Sequence, residues 1–141
     1  MKNIFVLVFF VCCSYVSVAQ CDKKVKFTSS KTEYLDSAGN VQDTRIENTT
    51  IELSKEEIVV RPGNVEDREM RGKLTNWVCA WKTAYKEGKT SFTSSLMTNN
   101  GETNEVSIVI EGKDGKMTLT AVPKERPDRK IRVPIDNYEE K

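Results

Sequence analysis

The sequence predicts an all-β fold, an antiparallel meander of about eight or nine strands rolled into an up-and-down barrel, with a two-sheet β-sandwich as the alternative. Three observations predict it. Apolar and polar residues alternate over short stretches, the period of a half-buried strand. Turn-forming residues interrupt those stretches at close intervals, so consecutive strands are expected to be neighbours. Large side chains are also few: beyond residue 19 the aromatics are Phe27, Tyr34, Trp77, Trp81, Tyr85, Phe92 and Tyr138. So lean a core suits a barrel-like or layered β-domain better than a thick α/β one.

The chain opens on a different kind of element. Lys2 supplies a positive start, Ile4 to Val11 form an apolar run too short to span a bilayer, and Ser17-Val18-Ala19 sets small residues where signal peptidase cuts. Residues 1–19 therefore read as a signal peptide of the kind found on bacterial envelope proteins, and residues 20–141 as one all-β domain. The expected destination is periplasmic or extracellular.

Val25 and Phe27 alternate with polar residues up to Tyr34 and Leu35, and Asp36-Ser37-Ala38-Gly39-Asn40 turns the chain. Arg45 to Leu53 returns, rich in threonine and isoleucine. Ser54 and Glu57 match a helix capping box, but the β-branched Ile58-Val59-Val60 and the following Pro62-Gly63 favour a hairpin there. Asn64 to Arg71 is read as a surface loop with one brief helical turn capped by Asn64. A long strand is expected over Lys73–Tyr85, with its return over Thr90–Thr98. Val106, Ile108 and Ile110 line the next strand, and Asp114-Gly115 supplies a tight hairpin to Met117, Leu119 and Ala121. A loop bounded by Pro123 and Pro127 precedes the last strand, Ile131 to Ile135, which ends in a polar tail.

Charge names no partner. Lys2 leaves with the leader, so the 22 basic residues fall to match the 21 acidic ones. Nucleic-acid binding needs a basic field to release counterions from phosphates, and none is present overall. The richest basic cluster, Lys124 to Arg132, is broken by Glu125 and Asp128 and reads as a solvated turn. Beyond the leader no apolar stretch is long enough to form a transmembrane segment.

Cys12 and Cys13 leave with the leader, and the remaining pair, Cys21 and Cys79, reads as a single disulfide in an oxidising compartment. The alternative is lipid attachment at Cys21, against which Gln20 stands where a lipoprotein signal needs a small residue.

The chain contains no histidine. That removes the usual proton shuttle at neutral pH, Ser-His-Asp and Cys-His catalysis, and the commonest metal ligand. No phosphate loop or calcium loop is present, so no cofactor or metal is implied and an enzyme is not expected. The one arresting constellation is Trp77-Val78-Cys79-Ala80-Trp81, continued by Tyr85. On a strand, Trp77, Cys79, Trp81, Thr83 and Tyr85 share a face, with Val78, Ala80, Lys82 and Ala84 on the other. Trp77, Trp81 and Tyr85 are thus the candidate ligand-binding residues, either lining a barrel interior or forming a stacking platform. Their alternative role is to pack the core around the disulfide. The function expected is a binding module for a small apolar ligand or an envelope partner. Two alternatives are a structural protein without a pocket and a hydrolase working through paired carboxylates.

Overall fold

The structure is a computed structural model, and it describes residue 21 and residues 23–141; the expected signal peptide lies outside the described residues. Nine strands follow one another: β1 (Val25–Leu35), β2 (Val41–Leu53), β3 (Glu57–Arg61), β4 (Met70–Thr83), β5 (Glu87–Thr98), β6 (Thr103–Lys113), β7 (Lys116–Pro123), β8 (Lys130–Ile135) and β9 (Asn137–Glu140). Each strand from β1 to β7 pairs antiparallel with the next, and β8 pairs back onto β1. The result is a closed eight-stranded up-and-down barrel, which leaves no free sheet edge around most of its circumference. The sandwich alternative is not adopted.

Alternation explains the walls. Phe27, Ile51, Ile58, Ile108 and Ile110 are almost wholly buried, and Val25, Leu53, Phe92, Leu96, Val106, Met117, Leu119 and Val133 complete the inner cluster. Burying each such side chain contributes about 1.5–3 kcal/mol relative to exposure. The turns follow their chemistry. Asp36 accepts hydrogen bonds from the Ala38 and Asn40 amides at 3.0 and 2.9 Å, which closes the first hairpin. Asp114 and Gly115 both take positive φ, 54° and 77°, between the paired Lys113 and Lys116. That is the geometry a two-residue hairpin of this twist requires. Ser54 serves a turn instead of a helix: its hydroxyl accepts from the Glu57 amide at 3.2 Å as β2 turns into β3.

Four expectations need correcting. Two short 3₁₀ turns, Pro62–Asn64 and Glu66–Arg68, occupy the loop expected to hold one helical turn, and Asn64 caps neither of them. Asn64 instead takes φ 55° and its side-chain carbonyl accepts from the Thr50 hydroxyl at 2.6 Å. The long strand starts at Met70 and carries a one-residue bulge: Thr75 pairs with Thr93 but Val78 with Ser91. Asn76 sits in it at φ 55°, a conformation asparagine tolerates better than most residues. The bulge moves the inward positions from Met70, Gly72 and Leu74 to Trp77, Cys79 and Trp81.

A second register shift after Trp81 leaves Thr83 exposed, off the face it was expected to share. Ala84 packs against the core instead. Finally, the polar tail forms β9, which pairs with Val25–Thr28 of β1 and continues the register that β8 makes with Glu33–Leu35. The Asp136 amide bonds the Thr28 carbonyl at 2.9 Å between the two segments, so backbone pairing overrides a tail of low strand propensity.

Candidate functional site

The two ends of the barrel differ in how far side chains fill them. At one end β4, the turn after it and β5 bring large rings together. Trp77 stacks on Phe92 with ring centroids 5.7 Å apart, Trp81 meets Tyr85 at 5.6 Å, and Tyr85 meets Phe27 at 6.2 Å and Tyr138 at 4.7 Å. The Trp81 indole donates to the Thr90 hydroxyl at 2.7 Å, which satisfies the polar handle that a part-buried tryptophan carries. Tyr85 lies beyond the strand at φ 57° and turns back into the core, where it is 8% exposed. Its phenol is pushed up to about 12, chiefly by burial and then by the nearby Glu140 carboxylate.

Cys21 and Cys79 are joined in a disulfide at this same end, with Cα atoms 6.3 Å apart. The space enclosed by Cys21, Trp77, Trp81 and Tyr85 with their neighbours is about 20 Å³, room for roughly one water. Trp77, Trp81 and Tyr85, the candidate residues of the sequence, all line this one small space, Trp81 against Tyr85 and Trp77 against Phe92. With so little room left between them, their rings plug this end.

The other end is hollow. A cavity of about 440 Å³ is lined by residues from every barrel strand: Tyr34, Ile51, Ile58 and Val60, Met70, Leu96, Val106 and Ile108, Leu119 and Ala121, Ile131 and Val133. Asn104, Glu105, Glu125, Arg126 and Arg129 rim it. Glu105 is paired with Lys124 at 3.3 Å. The loop that reads in the sequence as a solvated turn is thus also the mouth of the cavity.

A second lobe of about 370 Å³ shares Tyr34, Val60, Met70, Ile131 and Val133 with the first, and adds Thr32, Thr49, Glu47, Asp67 and Arg68. There Arg68 donates to both carboxylate oxygens of Glu47, at 2.8 and 3.4 Å. That bond holds the Arg68 pKa above its ordinary value.

None of this cavity was singled out from the sequence. Its aliphatic walls carry the same alternation as any packed β core, so nothing in Ile58, Ile108 or Leu119 distinguishes a lining from a filling. The usable signal lay in what is absent: beyond Tyr34, the half of each strand nearer this end carries no aromatic residue, while Phe27, Trp77, Trp81, Tyr85 and Phe92 gather at the other. Among the described residues no group of three or more His, Cys, Asp or Glu side chains is placed to hold a metal ion. No helix among them is long and apolar enough to cross a membrane. No protein-family model, curated protein or solved structure matches the chain.

Proposed function

We propose that the chain is a binding module that takes a small apolar molecule into the hollow end of its barrel. One observation carries this reading: a single eight-stranded interior is plugged with rings at one end and left with about 440 Å³ between aliphatic walls at the other. Protein interiors ordinarily close to crystal-like density. Eight strands enclose a space that side chains either fill or leave for one small ligand, and the cavity has the size of ordinary ligand sites. Apolar walls inside and charged side chains outside are also the inverse of a membrane-spanning barrel. Export to an oxidising compartment accompanies the proposal, supported by the Cys21–Cys79 bridge.

The test is titration with N-phenyl-1-naphthylamine, a neutral dye that brightens in apolar surroundings. Ala121→Trp, which fills the cavity, is expected to weaken the dye at least about tenfold without lowering the melting midpoint, since roughly two buried methylenes' worth of lost contact already suffices. Trp77→Phe, at the plugged end, is expected to leave the affinity within about twofold, because it conserves ring stacking there. The opposite pattern would move the site to Trp77, Trp81 and Tyr85, and no dye binding to the wild type would leave a structural protein.

A further inference from the structure

We infer that the ligand carries a neutral hydrogen-bonding group, and that Thr49, with Thr32 beside the same space, is the anchor that selects it. The inference rests on the cavity being a ligand site and deepens that reading. Thr49 and Thr32 are 3% and 6% exposed and both line the second lobe of the cavity. The Thr49 hydroxyl oxygen is the one buried side-chain nitrogen or oxygen among the described residues that has no hydrogen-bond partner. Buried hydroxyls are nearly always partnered; this one is covered in the present rotamer, but its side chain stands on the wall of an open lobe, where rotation about χ1 would turn the hydroxyl to a partner that arrives from outside the chain.

The backbone makes the placement deliberate. Ser29 pairs with Thr49 but Lys31 with Ile46, so β2 bulges by one residue immediately before Thr49. Bulges re-aim side chains and concentrate near binding sites. Thr49 begins the stretch of β2 whose next inward residues, Ile51 and Leu53, are apolar core. A threonine at the head of that series keeps the shape of a valine and adds only a hydroxyl.

The charges around the lobe specify what the hydroxyl meets. Glu47, Asp67, Glu102 and Arg68 line it. Arg68 and Glu47 neutralise each other through their two hydrogen bonds, leaving Asp67 and Glu102. An incoming anion would face two carboxylates, whereas an alcohol or carbonyl meets no such penalty. The apolar body of the same molecule then lies across Tyr34, Val60, Met70, Ile131 and Val133, which both lobes share.

Three probes of nearly one shape test the assignment in displacement of the naphthylamine dye: 2-naphthol, 2-methylnaphthalene and 2-naphthoate, at neutral pH. Thr49→Val is expected to weaken 2-naphthol about five- to tenfold, the value of one net hydrogen bond. It should leave 2-methylnaphthalene within about twofold, because the side-chain shape is kept. Thr49→Ser is expected to restore 2-naphthol binding. For the wild type, 2-naphthoate should bind at least about tenfold more weakly than 2-naphthol.

Thr49→Val should melt no lower than the wild type, since it deletes an unmet hydroxyl; if it does not fold, Thr32→Val carries the same selective loss. Equal effects of Thr49→Val on 2-naphthol and 2-methylnaphthalene, or none on either, overturn the anchor and assign the hydroxyl to structure or to a resident water. Tighter binding of 2-naphthoate overturns the neutral group and moves the polar end to Arg126 and Arg129. Should the dye and all three probes fail to bind, the cavity itself is not a ligand site, and that failure is distinct from the anchor's.

Discussion

Tyr85 shows how much one residue's position depends on backbone that no pattern announces. Period-2 counting puts it on the face of Trp77 and Trp81, and it does reach their ring cluster, but by another route. Its own φ of 57° turns it inward from the connection between β4 and β5, after Thr83 has left the face. Burial raises its phenol from 10.0 to about 12. Below pH 10 both folded and unfolded chains hold this proton, and the stabilisation is complete. As the pH rises from 10 towards 12 the unfolded chain releases the proton first, so stability is lost across that window. Tyr85→Phe is therefore expected to flatten the alkaline fall in denaturant midpoint relative to the wild type. Two parallel profiles between pH 9 and 12 would show that Tyr85 does not cause it.

At the scale of an element, β4 is where the sequence was most and least legible. The Trp77, Cys79 and Trp81 alternation is carried by adjacent residues and survives intact as an inward face. The bulge at Asn76 is invisible to periodicity, because Lys73 to Thr75 read equally well in either register until β5 fixes the pairing through Thr93 and Ser91. What holds the plug is also non-local. Gly112 on β6 leaves room for the Trp81 ring, and a Cβ added there would lie 2.8 Å from the ring edge and 2.9 Å from the Lys86 carbonyl oxygen.

Gly112→Ala is expected to displace Trp81 and cost about 1–3 kcal/mol, the usual penalty of overpacking. Trp81→Ala should cost near or below the lower end of the roughly 3–5 kcal/mol typical of buried tryptophan, since Trp81 is only part-buried. The double variant should cost less than the two combined, because the clash of the alanine at 112 with the Trp81 ring is gone, although its close approach to the Lys86 carbonyl remains. Additive losses in urea melts would deny the coupling.

For the whole molecule, the up-and-down barrel was legible from short alternating segments and turn residues, while the seam in its wall was not, because a seam depends on how far each pair of strands runs together. The pairing of β3 with β4 covers only Glu57–Val60 against Met70–Lys73. Below it, from Thr75 to Thr83, β4 has strand pairing only on its β5 side among the described residues. Cys21 lies at this seam, tied to β4 by its bridge to Cys79, and Lys24 is held from the other side, where the Lys141 amide bonds its carbonyl at 2.8 Å. The bridge is thus a closure device where the ladder runs out, and it also lines the plugged end. Spanning a separation of 58 residues, it should restrict the unfolded chain by about 4 kcal/mol in the entropy model.

The Cys21→Ser, Cys79→Ser double variant is expected to lose about 2–4 kcal/mol in denaturant melts and to stay folded at 25 °C, because the eight-stranded ladder above the seam is untouched. Its loss should be local as well as global: amide exchange should quicken in the first residues of β1 and in β9, which the bridge keeps beside β4, and stay slow in β6 and β7. At the hollow end the naphthylamine dye should bind with affinity within about twofold of wild type, since no bridge atom reaches the cavity walls and distant sites contribute independently. Uniform acceleration across all strands would mean that the barrel opens as one unit, and that the seam has no separate existence.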